Sequence, residues 1–216
     1  MAAEQGYFPF ASPRLGERYI WEADWIAFDF ETTGLDPVRD RIVEIGAVLY
    51  RKGKYEDAFH TLVNPERPIP YGAKRIHGIG DEEVAGAPSL ELALPPFLDL
   101  LQDRLIIAHN LPFDYSFLES AVSRIGLEIE SSALFADTLT FARAVYPGRK
   151  GYSLSKLCES LSIDQGEAHR AVSDASACMN LFIHLLETSE DSIMITKERK
   201  SVDSIIQYSR SRIRKL

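Results

Sequence analysis

A mixed-sheet α/β domain flanked by helices is the fold this 216-residue sequence predicts. Three observations predict it. Strand candidates come first, at 25–31, 42–51 and 55–63. Strand and helix patterns then alternate from about residue 89 onward, an order that lays helices on the faces of a sheet. Gly53 separates the second and third runs, where a tight hairpin turn needs positive φ.

Taken in order, residues 1–24 read as an N-terminal extension that is irregular but aromatic, with Tyr7, Phe8, Phe10, Tyr19 and Trp21. Such a stretch is expected to pack on the domain or on a partner. The domain proper spans 25–188 and opens on the buried strand pattern Trp25-Ile26-Ala27-Phe28. Helices are expected at 71–76 and 89–102, and a strand at 104–109 around Leu105-Ile106-Ile107-Ala108. The next helix, 112–125, has Pro112 near its first position, where a missing N–H costs nothing. A short strand at 134–137 and helices at 138–145, 153–160 and 169–187 complete the domain. Residues 189–216 read as a C-terminal tail. Ser189-Glu190-Asp191-Ser192 has the composition of a linker. Beyond it Val202, Ile205, Ile206, Ser209 and Ile213 form a helical stripe, followed by basic residues Arg210, Arg212, Arg214 and Lys215. The stripe suits either a frayed tail or a docking helix for a partner or for another copy of the chain.

Composition narrows the function classes. No apolar run approaches the roughly 18 residues of a membrane span, and no secretory signal is visible, so a cytoplasmic protein with no membrane partner is expected. Cys158 and Cys178 lack metal-ligand spacing and read as buried thiols of a reducing compartment. A net charge of −8 argues against broad coating of nucleic acid. It leaves room for an acidic pocket, charged with metal, that grips one strand end.

Three segments carry chemistry. In Phe28-Asp29-Phe30-Glu31-Thr32-Thr33-Gly34-Leu35, two carboxylates at i and i+2 share one face of a strand. They are either solvated surface acids or oxygen ligands for a hard cation such as Mg²⁺ or Mn²⁺. In His109-Asn110-Leu111-Pro112-Phe113-Asp114, Asp114 falls in the first turn of a helix, aimed back at the strand ends. In His169-Arg170-Ala171-Val172-Ser173-Asp174, the His and the Asp are five residues apart. On a continuous helix they would diverge by about 140°, so they converge only if His169 lies at or before the helix start.

On these residues the chain resembles the DEDDh 3′–5′ exonucleases, named for four acids and a histidine. Asp29 and Glu31 match the first motif, Asp114 the second, and His169 with Asp174 the third. Relatives that use tyrosine place it four residues before the last Asp, where this chain has Arg170. Within the family the resemblance is nearest the proofreading epsilon subunit of DNA polymerase III and the equivalent domain of Gram-positive replicative polymerases. Connecting segments resemble them too: Asp40–Val48, Val63-Asn64-Pro65, Ile76-His77-Gly78, and Tyr146-Pro147-Gly148 followed by Ser153-Leu154.

The resemblance implies a ribonuclease H-like fold and removal of the last nucleotide from a 3′ end. It implies two Mg²⁺ or Mn²⁺ ions held by Asp29, Glu31, Asp114 and Asp174, with His169 as general base. Thr32, Thr33, Leu35 and His77 are the expected contacts to the terminal nucleotide. DNA is favoured over RNA, with a ribonuclease T- or oligoribonuclease-like trimming enzyme as the alternative. A non-catalytic scaffold bound to a polymerase would not need all five site residues, and a metal-binding regulatory domain does not account for the histidine.

Overall fold

The computed structural model describes residues 6–8, 20–129, 134–166 and 168–192. A short strand β1 (Gly6–Phe8) and a single 3₁₀ turn (Ile20–Glu22) precede the sheet. The sheet strands β2 (Asp24–Thr32), β3 (Ile42–Arg51) and β4 (Lys54–Leu62) form an antiparallel meander. Helices α1 (Tyr71–His77), α2 (Asp81–Val84) and α3 (Leu90–Leu101) follow, then strand β5 (Leu105–Ala108) and helix α4 (Leu111–Arg124). Next come β6 (Leu127–Ile129), β7 (Phe135–Asp137), α5 (Thr138–Val145), α6 (Leu154–Leu161) and α7 (Ala171–Ser192). The main sheet has the order β4-β3-β2-β5-β7, with β5 and β7 parallel to β2, while β1 pairs separately with β6.

The expected hairpin is present. Arg51 pairs with Lys54, and both Lys52 and Gly53 adopt positive φ, as a two-residue turn matched to strand twist requires. Alternation along β2 divides its side chains between two layers. Ile26, Phe28 and Phe30 pack with α3 and α4 around Phe97. Trp25 and Ala27 face α7, where the Trp25 ring meets Phe182 edge-on at 5.5 Å. The end of the N-terminal extension packs as expected: Ile20 is fully buried, its carbonyl accepts from Trp25 Nε1 at 2.9 Å, and Trp21 lies 5.2 Å from Trp25.

Two expectations differ from the structure. The final helix begins at Ala171, not 169, which leaves His169 in the preceding turn at φ 63°. The segment Ser189–Ser192, expected as a linker, continues α7. Its first residue, Ser189, is buried and donates its hydroxyl to the Leu186 carbonyl, so a composition typical of linkers is absorbed into a packed helix. The apolar and basic stripe of 202–215 lies outside the described residues.

One close approach fixes how α7 meets the sheet. A Cβ on Gly46 of β3 would lie 2.2 Å from both the Ala171 carbonyl carbon and the Val172 nitrogen. Only glycine lets this backbone touch that helix start. Gly46→Ala is expected to destabilise the protein by about 1–3 kcal/mol, as overpacking does, measured by urea denaturation. Unchanged stability would show that the α7 start is free to shift.

Candidate active site

The site is built where β2 ends. Asp29 and Glu31 stand on the α7 side of the sheet, opposite in sense to Phe28 and Phe30. Their cross-strand partners on β3 are Gly46 and Glu44. Because Gly46 carries no side chain, the first turn of α7 settles directly beside Asp29 and brings Asp174 with it. Oxygen atoms of Asp29, Glu31 and Asp174 lie within 4.8 Å of one another. Asp29 is half-buried, and Glu31 and Asp174 are buried.

Glu44 locks this corner. Its carboxylate is buried and accepts from Arg170 Nη2 at 2.9 Å, from the Ala171 N–H at 3.0 Å and from His60 Nε2 at 2.7 Å. Glu44 therefore serves as a tertiary cap for α7, supplied from a strand rather than from the preceding residue. His169 then sits two residues before the helix, in a left-handed conformation uncommon for a residue with a Cβ. Its backbone N–H donates to Asp174 Oδ2 at 2.9 Å, while its side chain is exposed at the same corner. The divergence expected of two residues on one helix does not arise.

Asp114 arrives from the opposite layer. β5 pairs with β2 only from Trp25 to Ala27, so beyond that point the β2 edge is open. The Phe30 N–H there donates to Asp114 Oδ1 at 3.3 Å. Asp114 is 3% exposed and lies outside the tight triplet. The α4 start that delivers it is held by Asp137, whose Oδ1 accepts the N–H groups of Asn110 and Leu111. The same carboxylate caps α5 through the Leu139 N–H and the Thr140 hydroxyl.

Electrostatics single out the four acids. Burial pushes the Asp29 carboxyl well above the usual range, and Asp114, Glu31 and Asp174 push it further. Burial raises Glu31 to about 8, reinforced by Asp174 and Glu44. Burial likewise raises Asp114 to about 8, against the restraint of the Phe30 N–H. Asp174 is raised by burial too, despite the His169 N–H. Glu44 goes the other way: burial would raise it, but Arg170, the Ala171 N–H and His60 together hold it below the ordinary value. Four crowded carboxylates, all hard oxygen donors and all reluctant to ionise together, fit a divalent cation that would relieve both desolvation and repulsion.

The loop after β2 rises beside this cluster. Thr33 is buried; its hydroxyl donates to Asp40 Oδ1 and its N–H to the Arg41 carbonyl. The Thr32 hydroxyl donates to the Gly34 carbonyl at 2.7 Å. Leu35 is 80% exposed. His77 is buried at the end of α1, its Nδ1 accepting from the Ile79 N–H, while its Nε2 makes no hydrogen bond. Burial lowers the His77 pKa, so the ring is neutral with its proton on Nε2.

This arrangement, a sheet-end acid cluster fed by two helix starts, defines a metal-assisted phosphodiesterase class of site. The Exonuclease family (RNase_T) matches residues 26–182, and the chain belongs to it. The fold is ribonuclease H-like and the chain is a nuclease domain. It is 36% identical over 195 residues to a DNA polymerase III PolC-type protein of Caldanaerobacter subterraneus subsp. tengcongensis, which covers 90% of this chain and 14% of that protein. It is 34% identical over 187 residues to DNA polymerase III subunit epsilon of Rickettsia conorii, covering 83% of this chain and 81% of that one. The structure of exonuclease X in complex with 5′ overhanging duplex DNA superposes with a TM-score of 0.63 at 28% identity, covering 86% of this chain and 98% of that one. The chain thus spans about one-seventh of the PolC-type relatives it matches.

Sequence reasoning missed Glu44, Gly46 and Asp137 as parts of the site. Asp137 did leave a signal: an acid between an apolar strand and the helix-forming Thr138-Leu139 is an N-cap pattern. Glu44 left a weaker one, a lone charge inside the apolar run Ile42–Leu49.

A pH dependence of stability follows. An acid with a raised native pKa keeps its proton when folded and sheds it when unfolded, so stability falls as pH rises through that window. For Glu31 the window runs from 4.5 to about 8. Below about 6.5 the opposing titration of His77 and His109, both lowered by burial, overlaps it. The clean interval is therefore about pH 6.5–8. In EDTA, unfolding free energy is expected to fall across it by about 2 kcal/mol for each proton retained. Saturating Mg²⁺ is expected to remove the slope, and Asp29→Asn to flatten it. A flat profile for the metal-free wild type would contradict the crowding.

Proposed function

We propose that this chain removes nucleotides one at a time from the 3′ end of DNA, as the proofreading exonuclease of a replicative polymerase. The observation that carries the reading is the convergence of Asp29, Glu31 and Asp174 within 4.8 Å, with Asp114 at the adjoining strand edge and His169 at the rim. The names of the relatives and the DNA bound by exonuclease X support DNA over RNA.

Asp29, Glu31 and Asp174 would hold one Mg²⁺ or Mn²⁺, and Asp29 with Asp114 a second. Ions bound there supply Lewis-acid stabilisation of the phosphate and lower the pKa of the attacking water. His169, exposed and free to swing, takes the proton of that water on its imidazole. The water oxygen bonds to phosphorus as the bond from phosphorus to the 3′ oxygen breaks; that oxygen takes a proton from solvent, leaving a 3′ hydroxyl on the shortened strand and releasing a nucleoside 5′-monophosphate. Leu35 offers an exposed apolar surface to the terminal base. Thr32, Thr33 and His77 would contact the terminal nucleotide beside it, with Thr33 acting through the loop it holds. The tail beyond Ser192 is the segment proposed to dock the polymerase or a second copy of the chain.

Asp29→Ala is expected to lower hydrolysis of a 3′-labelled single strand by about 10³-fold or more while leaving the fold intact. His169→Ala is expected to cost about 10²- to 10⁴-fold, to abolish the acidic limb of the pH–rate profile and to leave calorimetric Mn²⁺ binding unchanged. Loss of a bound ion in the histidine variant would make His169 a ligand instead. RNA degraded faster than DNA of equal length would reverse the substrate assignment.

A further inference from the structure

The charge of this acidic chain is unevenly placed. Between Asp137 and Glu159 there is no carboxylate, yet Arg143, Arg149, Lys150 and Lys156 all fall there. Among the described residues none of the four forms an ion pair with an acid, whereas Arg39, Arg51, Lys74, Arg104 and Arg170 each do. Arg143, Lys150 and Lys156 are exposed. Arg149 is packed over the Tyr146 ring at 4.5 Å, and Arg143 over Tyr152 at 5.5 Å. Cations clustered without neighbouring counter-charges repel one another and leave a locally positive stretch on a chain of net −8.

The segment is also built rigidly into the rim of the site. The Tyr152 hydroxyl donates to the Tyr146 carbonyl and accepts from the Arg149 N–H. The Tyr152 carbonyl accepts from His109 Nε2 at 2.9 Å, which ties the segment to the turn that starts α4 and hence to Asp114. One helical turn further on, the Ser155 hydroxyl accepts from Gln165 Nε2 at 2.9 Å, in the loop that leads to His169 and Asp174. The side chain of Lys156 lies across Gly151, where a Cβ would come within 2.7 Å of its Cδ. The cations thus sit on the same layer as α7, between the second and third motifs.

We infer that the α5–α6 segment is a phosphate track: Lys150 and Lys156, on a platform stiffened by Arg149 and the two tyrosines, hold backbone phosphates of the substrate strand upstream of its terminal nucleotide. This rests on the exonuclease reading and adds a function that the metal site does not need. A track of this kind grips the strand whatever its sequence, as an enzyme that must accept every base requires. It also gives an acidic protein a cationic stretch for a polyanionic substrate.

The test compares Lys150→Gln/Lys156→Gln with wild type on two substrates. One is thymidine 5′-(p-nitrophenyl) phosphate, which has no upstream phosphate; the other is a single strand of about fifteen thymidines. For the strand, KM is expected to rise about five- to tenfold with kcat unchanged, and the salt dependence of log kcat/KM to shrink by about 1.4, the counterions of two single-strand phosphates. For the ester both constants are expected to stay as in wild type. Lys52→Gln/Lys54→Gln, an equal charge loss on the β3–β4 hairpin, is expected to change neither. Equal losses on both substrates, or a strand KM that does not move, would overturn the track. Fluorescence anisotropy of the same strand in EDTA reads the track without catalysis. If wild type hydrolyses neither substrate but the double lysine variant still weakens strand binding, the exonuclease reading fails and the track stands.

Discussion

The contact between Gly46 and the first turn of α7 is the constraint on which the rest of the site depends. Glycine at that position of β3 lets helix backbone lie against sheet backbone, closer than any side chain would permit. Asp29 is the cross-strand partner of Gly46, so wherever the helix start lands, Asp174 lands beside Asp29. The approach alone does not set the rotation of the helix. Glu44, two residues before Gly46 on the same face, does that by taking the Ala171 N–H and the Arg170 guanidinium on one buried carboxylate. Removing the guanidinium would strip Glu44, buried on its strand, of its charged partner, which is costlier than the pair is stabilising.

The same corner holds two kinds of buried acid, and the contrast shows what each is for. Glu44 and Glu31 are cross-strand neighbours and both are buried, yet their carboxyls shift in opposite directions. Glu44 has a guanidinium, an amide and an imidazole. Glu31 has other carboxylates. A fold that can satisfy one acid so fully at this position has the means to satisfy its neighbour, and the neighbour is left for a ligand. On that ground Glu44 is structural and Glu31 is the acid proposed to hold a ligand, a difference that sequence position does not reveal.

Much of this was legible in the residues. The meander, the hairpin at Gly53 and the alternation of later elements are local patterns of period and turn chemistry, and each appears within a residue or two of its expected place. The pairing of Asp29 with Glu31 follows from strand alternation, and the need for His169 to precede its helix follows from helix geometry. What was not legible is tertiary. Nothing local says that Glu44 caps a helix 127 residues away, or that Gly46 is vacant to admit it. The end of the last helix was misread because Ser189 looks like a linker residue until its hydroxyl finds the Leu186 carbonyl within the helix. The bond from His109 to the Tyr152 carbonyl, which joins the basic segment to the site, has no local signal either.

The placement of the acids also explains how the fold tolerates them before metal arrives. Asp114 and Asp174 come from different helices on different layers, yet each lies in the first turn of its helix. There the unpaired N–H groups and the positive end of the helix dipole favour negative charge. Both helices start at the edge where the parallel strands β2, β5 and β7 end, so their positive ends point into one crevice. Asp29 and Glu31 reach that crevice from the strand side. Two of the four carboxylates thus bring a favourable field with them, and the other two rely on it. The dipoles soften the repulsion without cancelling it, because all four carboxyls remain raised above their ordinary values. The topology of the sheet edge thus yields a cluster stabilised enough to fold and crowded enough to favour a cation.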